Sequence, residues 1–288
     1  VSPDAPSSPI GWRETLIAAA AITLAVAIAL REQIADFYGV LDLGDPLFSM
    51  WRLAWIAHQL MTDPRHLFDT NIFHPEARTL AYSDSMLLPA FSAAPLLWAG
   101  VPVPIVYTLL LLAGFVLSGL AAYLLARELG LAPAAAWVSA LVFTLYPFRF
   151  EHYSHLELQM TQWMPLSLLA AVRLLKTGRL KYMVWLALAL AAQWYSSMYY
   201  GLFLTIYAGV FAFVFSVAQR ERRLRFGLPA CGIALGVALA LPLAFIYTST
   251  EGVRGRRTAD VVALYSARPI DYLQSSTRSF WYRDVHVV

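Results

Sequence analysis

A single cysteine, Cys231, occurs in 288 residues, which excludes an intrachain disulfide and a cysteine metal cluster. Charge is scarce as well. Asp, Glu, Lys and Arg make up 14% of the chain, against about a quarter in a soluble domain whose surface faces water. The net charge of +3 does not point to nucleic acid, because the basic residues sit in short loops between apolar runs, where they act as orientation signals. Phosphate-binding loops, dinucleotide-binding glycine motifs, nucleophile elbows and HExxH helices are all missing. Arg13 precedes the first apolar run, yet no small-residue cleavage site precedes Arg31. That run therefore reads as a retained span and not as a secretory leader.

What is present is apolar: 59% of the residues are hydrophobic and 14% aromatic. Several stretches of about 16–24 residues carry no charge, the length needed to cross a bilayer core. The chain reads as all-α, a polytopic transmembrane helical bundle. The pattern predicts about seven spans, at 14–34, 104–126, 134–149, 158–175, 182–197, 199–218 and 226–248. Residues 1–13 form a cytoplasmic tail, 14–34 the first span, and 35–103 a large extracytoplasmic loop carrying interfacial or re-entrant helices. Residues 104–248 form a six-helix bundle and 249–288 a final extracytoplasmic segment. The run "MLLPAFSAAPLLWAGVPVP" (86–104) holds four prolines, which would break backbone pairing in lipid, so a crossing there is disfavoured. "RLLKTGRLK" (173–181), "QRERRLR" (219–225) and Arg127 belong on the cytoplasmic side, two crossings apart. Residues 31–85 carry eight acids against four arginines, as suits an outer segment. The uncharged stretch 182–218 reads as two helices turning at "SSMYYG". The chain starts at Val1 and ends soon after a span, which reads as a piece of a longer protein.

Four polar constellations stand out. In "LDLGDPLFSMWRLAWIAHQL" (41–60), Asp45 occupies an N-cap position with Pro46 at the first helical residue. Trp51 and Trp55 share one face of what reads as an interfacial helix. Capping alone accounts for Asp45, and capping does not exclude chemistry; Asp42 and Asp36 are its neighbours. In "PFRFEHYSHLELQMTQW" (147–163), one helix would place Arg149, His152, His155, Gln159 and Gln162 within an arc of about 140°, with Glu157 pointing elsewhere. Such a stripe lines either a wet cavity or an interhelical hydrogen-bond network. A metal site from His152 and His155 has no further ligand at a diagnostic spacing, so no metal and no other cofactor is expected. In "DTNIFHPEARTLAYSDSM" (69–86), His74, Tyr82 and Asp84 are the polar candidates, in a loop rich in turn formers. In "TSTEGVRGRRTADVV", Arg254, Arg256 and Arg257 fall on the outer side against the charge rule. They suit either a phosphate, through forked hydrogen bonds, or a loop long enough to escape that rule.

Taken together, "LGDPLFSMW", "LFDTNIFHPEARTLAYSD" and "YPFRFEHYSHLELQMTQWMPL" resemble the GT-C class of membrane glycosyltransferases, which use polyprenyl-phosphate-linked sugars. The likeness is to bacterial relatives of protein mannosyltransferases and aminoarabinose transferases, and it covers most of residues 36–200. The resemblance implies a multi-pass inner-membrane enzyme with its site on the extracytoplasmic side. It implies a polyprenyl-phosphate-sugar donor, a glycan, lipid or protein acceptor, membrane lipids as partners and no nucleic acid. An acid in the first outer loop acts as base in that class, and Asp45 matches it best, with Asp42 second. A transporter or flippase-like protein binding the same lipid-linked substrate is the rival reading; it calls for internal repeats or mid-membrane charges, and the sequence has neither. A non-catalytic scaffold is a third.

Overall fold

Long apolar runs can satisfy their backbone only within themselves when lipid surrounds them, so helices are the expected solution. The computed structural model describes residues 11–40, 42–218, 227–250, 252 and 258–273, and these are helical throughout their regular parts, with no strand. In chain order the helices are α1 (Trp12–Ala29), α2 (Arg31–Ala35), α3 (Asp45–Thr62), α4 (Leu87–Trp98), α5 (Val103–Glu128), α6 (Pro133–Leu145) and α7 (Pro147–Glu151). They continue as α8 (Leu156–Gln159), α9 (Trp163–Thr177), α10 (Leu180–Ser196), α11 (Met198–Ala218), α12 (Gly227–Ser249) and α13 (Ala259–Tyr265).

Four of these, α1, α5, α11 and α12, are long and apolar enough to cross a membrane. The other three expected spans correspond to α6, α9 and α10, of 13, 15 and 17 residues. Local chemistry shortens two of them. α6 stops at Leu145 because Tyr146 turns extended (ψ 147°) ahead of Pro147, whose ring disfavours helical geometry in the residue before it. The expected span 158–175 begins only at Trp163, after an irregular stretch. The disputed run 86–104 folds as α4, 12 residues long. That is about 18 Å of helix, short of a hydrocarbon core of ~30 Å. The α10–α11 hairpin turns at extended Ser197.

The chain divides into two compact units, Val1–Thr248 and Ser249–Val288. In the first, α5 is the axis, packed by α1, α3, α4, α6, α8 and α9. Its buried face is rich in small residues, including Gly114, Ser118, Gly119, Ala121 and Ala122, which let backbones approach closely. A Cβ on Gly114 would lie 2.8 Å from the Gln159 carbonyl oxygen, and one on Gly119 would overlap the Thr144 hydroxyl. α11 turns Phe203, Ile206, Tyr207, Val210, Phe213 and Val214 outward, an apolar surface of the kind lipid covers. Charges collect at one end of the bundle. Glu14 at the start of α1 pairs with Arg127 at the end of α5 (2.6 Å), and Glu128 pairs with Arg173 and Lys176 of α9. The second unit contains α13, capped by the Thr258 hydroxyl, and an Arg268–Asp271 ion pair.

Gly114→Val tests the close approach of α5 to the 159–160 backbone. Its side chain meets a fixed carbonyl, so the purified protein should lose about 1–3 kcal/mol of stability through overpacking, read as a lower melting temperature in detergent. An unchanged melt would show that this contact is slack.

Candidate functional site

The site is built where α3 begins. Asp42 accepts hydrogen bonds from the Gly44 N–H (2.8 Å) and from the Ser154 hydroxyl. The Ser154 hydroxyl first, and the Gly44 N–H second, hold its carboxyl below the usual aspartate value. Gly44 occupies the cap position, with its carbonyl accepting the Phe48 N–H (3.1 Å). The expectation of Asp45 as N-cap is therefore displaced by one residue. Asp45 is the first helical residue, Pro46 the second, and no side chain caps the helix. Because Asp42 orders the entry turn, the Asp45 carboxylate is left at the surface, its side chain 52% exposed.

α3 buries a face that mixes polar and apolar side chains. The residues it buries include Ser49, Arg52, Leu53, Ile56 and Gln59, while Leu47 is exposed. The polar side points inward because Arg52 finds a carboxylate there. Trp51 and Trp55 are half-buried and donate through their indole N–H groups to Asn71 Oδ1 (3.1 Å) and the Leu67 carbonyl (2.9 Å). They pin the loop 67–71 to the helix.

From Asp45 a line of ionisable groups runs into the protein. Asp45 Oδ2 lies 3.5 Å from His155 Nε2, and His155 Nδ1 lies 3.6 Å from Glu157 Oε1. Glu157 Oε2 accepts from Arg52 Nη2 at 3.1 Å, with the two side chains 10% and 2% exposed. Arg52 also donates to Ser49 Oγ (2.9 Å) and to the Asp84 carbonyl, and stacks over the Phe48 ring. Asp84 is buried at the end of the line, with Oδ2 accepting the Met198 N–H at 2.8 Å.

A buried charge survives only when paired, and the pairing decides where the charge settles. Burial raises the Glu157 carboxyl, but the His155 and Arg52 groups together outweigh burial and hold it below its usual value. Glu157 in turn raises His155, favouring the imidazolium, with Asp45 adding to the effect. Asp84 is pushed up to about 7, first by burial and second by the Glu157 charge. One buried carboxylate, one acid that titrates near neutrality and a histidine biased towards its charged form thus sit behind an exposed aspartate. Perturbed groups of this kind cluster at functional sites. The two carboxylates approach opposite nitrogens of the His155 ring and so do not converge on a common point. The geometry suits holding and orienting a proton. Among the described residues, no group of three His, Cys, Asp or Glu side chains is arranged to hold a metal ion.

The single helix expected over 147–163 is not formed, and its common polar arc is dissolved. The stretch is broken into α7, a turn, and α8, and α9 starts at Trp163. Arg149 and Gln159 meet each other instead of lining a cavity. Both are fully buried; Arg149 Nε donates to Gln159 Oε1 (3.1 Å), Nη2 donates to the Gln159 carbonyl (2.7 Å), and the guanidinium lies 3.8 Å over Phe115. His152 stacks on Phe148, and its ring centroid lies 6.0 Å from that of His155. Gln162 is buried. Of the loop candidates, Asp84 joins the line, whereas His74 is exposed and Tyr82 packs on Phe73 with its hydroxyl buried and unpartnered. Arg254, Arg256 and Arg257 lie outside the described residues. The residues that the spacing argument missed are Arg52 and Glu157. Each is a lone charge flanked by apolar neighbours, in "MWRLAW" and "HLELQM", and the opposite signs were the available signal.

Asp84 makes stability depend on pH. An unfolded chain loses this proton near pH ~4, whereas the folded chain keeps it until about 7. Between those values the folded state holds the extra proton, so stability falls as pH rises through that window. Asp84→Asn, which keeps an acceptor for the Met198 N–H, should flatten the fall in melting temperature between pH 5 and 7. An unchanged slope would remove Asp84 as its source.

No curated protein and no solved structure matches the chain. Residues 53–282, well over half of the sequence, match the family described as Domain of unknown function (DUF6311), and the chain belongs to that family.

Proposed function

We propose that this protein is an integral membrane glycosyltransferase of the GT-C type, moving a sugar from a polyprenyl-phosphate donor to an acceptor hydroxyl with inversion. The observation that supports this reading is the exposed Asp45 carboxylate at the open end of an acid–base line that runs inward to buried Glu157 and Arg52, 3.5 Å from His155. In the reaction, an Asp45 oxygen takes the acceptor proton as the acceptor oxygen attacks the anomeric carbon. The bond from that carbon to the phosphate oxygen breaks on the opposite side. The lipid phosphate leaves as a stable anion and needs no general acid, so one carboxylate suffices where many glycosidases use two. His155, biased towards its charged form by Glu157, places a positive charge beside Asp45 that favours the departing anion, and His152 lies next to it. Arg52 and Arg149 are committed to internal partners and have no part in binding the donor.

In the same reading α6, α9 and α10 cross together with the four long helices, giving seven crossings. Residues 35–103 then lie on the extracytoplasmic side of the inner membrane, and Asp45 stands at the depth of the lipid headgroups. Single cysteines at Asp69 and Gly178, in a Cys231→Ser background, report on this with an impermeant thiol reagent applied to intact cells. Labelling at 69 alone is expected; equal labelling of both would overturn the topology.

The base assignment has its own test. Asp45→Asn preserves the shape at the head of α3 but cannot accept a proton, so transfer from a polyprenyl-phosphate-sugar should fall by about 10²-fold or more. Asp42→Asn, which keeps an oxygen for the Gly44 N–H and the Ser154 hydroxyl, should have the milder effect. Near wild-type transfer by Asp45→Asn would sink the assignment, and binding of donor without any turnover in the parent protein would favour a lipid-substrate carrier.

A further inference from the structure

α9 and α10 enclose a groove of about 620 Å³, closed on one side by Leu88 of α4 and lined by none of the residues of the Asp45 line. Trp163, Leu166, Trp185, Leu188 and Ala192 make its walls apolar, and Arg173 and Lys181 stand at one end. Those two cations flank a single ring, with Lys181 Nζ 5.0 Å and the Arg173 guanidinium 5.9 Å from the Tyr182 centroid. Arg173 and Lys176 share Glu128, while among the described residues no carboxylate pairs with Lys181. Arg179 adds a further positive charge at the same turn, so among the described residues Arg173, Arg179 and Lys181 bring more positive charge to this corner than Glu128 offsets.

We propose that this groove is a binding site for an anionic glycerophospholipid, with an acyl chain along the α9–α10 wall and its phosphate at Lys181 and Arg173. Two observations select that occupant. The first is charge: an apolar trough ending in an excess of cations matches a lipid whose tail ends in an anion. The second is length. Ten residues of α9 separate Trp163 from Arg173, about 15 Å of helix, which is half of the ~30 Å hydrocarbon core. The groove is as deep as one leaflet and so matches one acyl chain; a polyprenyl tail is too long to lie within it. A second groove of about 770 Å³, between α5, α6, α9 and α11, has no charged residue in its wall and offers no such choice. Trp185, 67% exposed, forms the open lip against which the chain lies. This site is independent of the catalytic reading given above.

The full chain, purified in detergent, is titrated with phosphatidylglycerol and with phosphatidylcholine, and bound lipid is counted by native mass spectrometry. Phosphatidylglycerol should bind more tightly. Lys181→Gln, at an exposed position, should weaken phosphatidylglycerol about fivefold, the usual weight of one cation near an anionic headgroup, and leave phosphatidylcholine unchanged. Lys181→Arg should retain the preference, and Ala192→Trp, which fills the trough, should weaken both lipids. Melting temperatures confirm that each variant is folded. Equal affinity for the two lipids would overturn the proposal, as would an unaltered preference in Lys181→Gln. Tighter binding of polyprenyl phosphate than of phosphatidylglycerol, lost in Ala192→Trp, would overturn it in favour of a prenyl groove.

Discussion

The buried charge of Arg52 is the constraint around which the head of this bundle is organised. A guanidinium at 2% exposure must be met by polar partners, and for Arg52 the opposite charge comes from Glu157, 105 positions away. To bring Glu157 there, the chain after α6 must leave the helix at Tyr146, turn twice, and resume as α9. To keep Arg52 there, α3 must lie with its polar side inward. One ion pair thus orients the first long loop and breaks the stretch that follows α6. Glu157 of the same pair biases His155 towards its charged form and adds to the burial that raises Asp84, so the electrostatics at the surface are influenced from inside.

Helix packing provides the second constraint. α5 can serve as the axis because glycine, alanine and serine stand where other backbones come close. Gly114 admits the Gln159 carbonyl, which receives the Arg149 guanidinium. The small residue on one helix, the broken helix beside it and the buried arginine are therefore one arrangement. Without a hydrophobic difference between lipid and helix side chains, this close approach and the polar contacts it permits are what hold such helices together.

The described part of the first unit places its two electrostatic features differently. The Glu14–Arg127 and Glu128–Arg173–Lys176 pairs tie helix ends together, with partly exposed side chains whose Coulomb energy is screened. The Asp45–His155–Glu157–Arg52 line is graded from half-exposed to buried, so a charge change at its outer end is felt by groups that water cannot screen. That gradient distinguishes the second feature from the first, whose charges only join helix ends.

The sequence by itself determined that the chain is helical and apolar, and it placed α5, α10, α11 and α12 to within about two residues at each end. Uncharged runs have no backbone solution in lipid except the helix, and Pro46 marks the head of α3 by fixed local geometry. It also marked the head of α3 and the histidines of 152–155 as polar places in an apolar chain. Tertiary structure alone decided which polar groups meet. A spacing argument assumes one continuous helix, and over 147–163 that assumption failed because satisfying Arg52 and Arg149 outweighed helical propensity. Inward and outward faces of α3 could not be read from hydrophobicity, since a charge finds its place by its partner, and that partner is fixed only when distant segments pack.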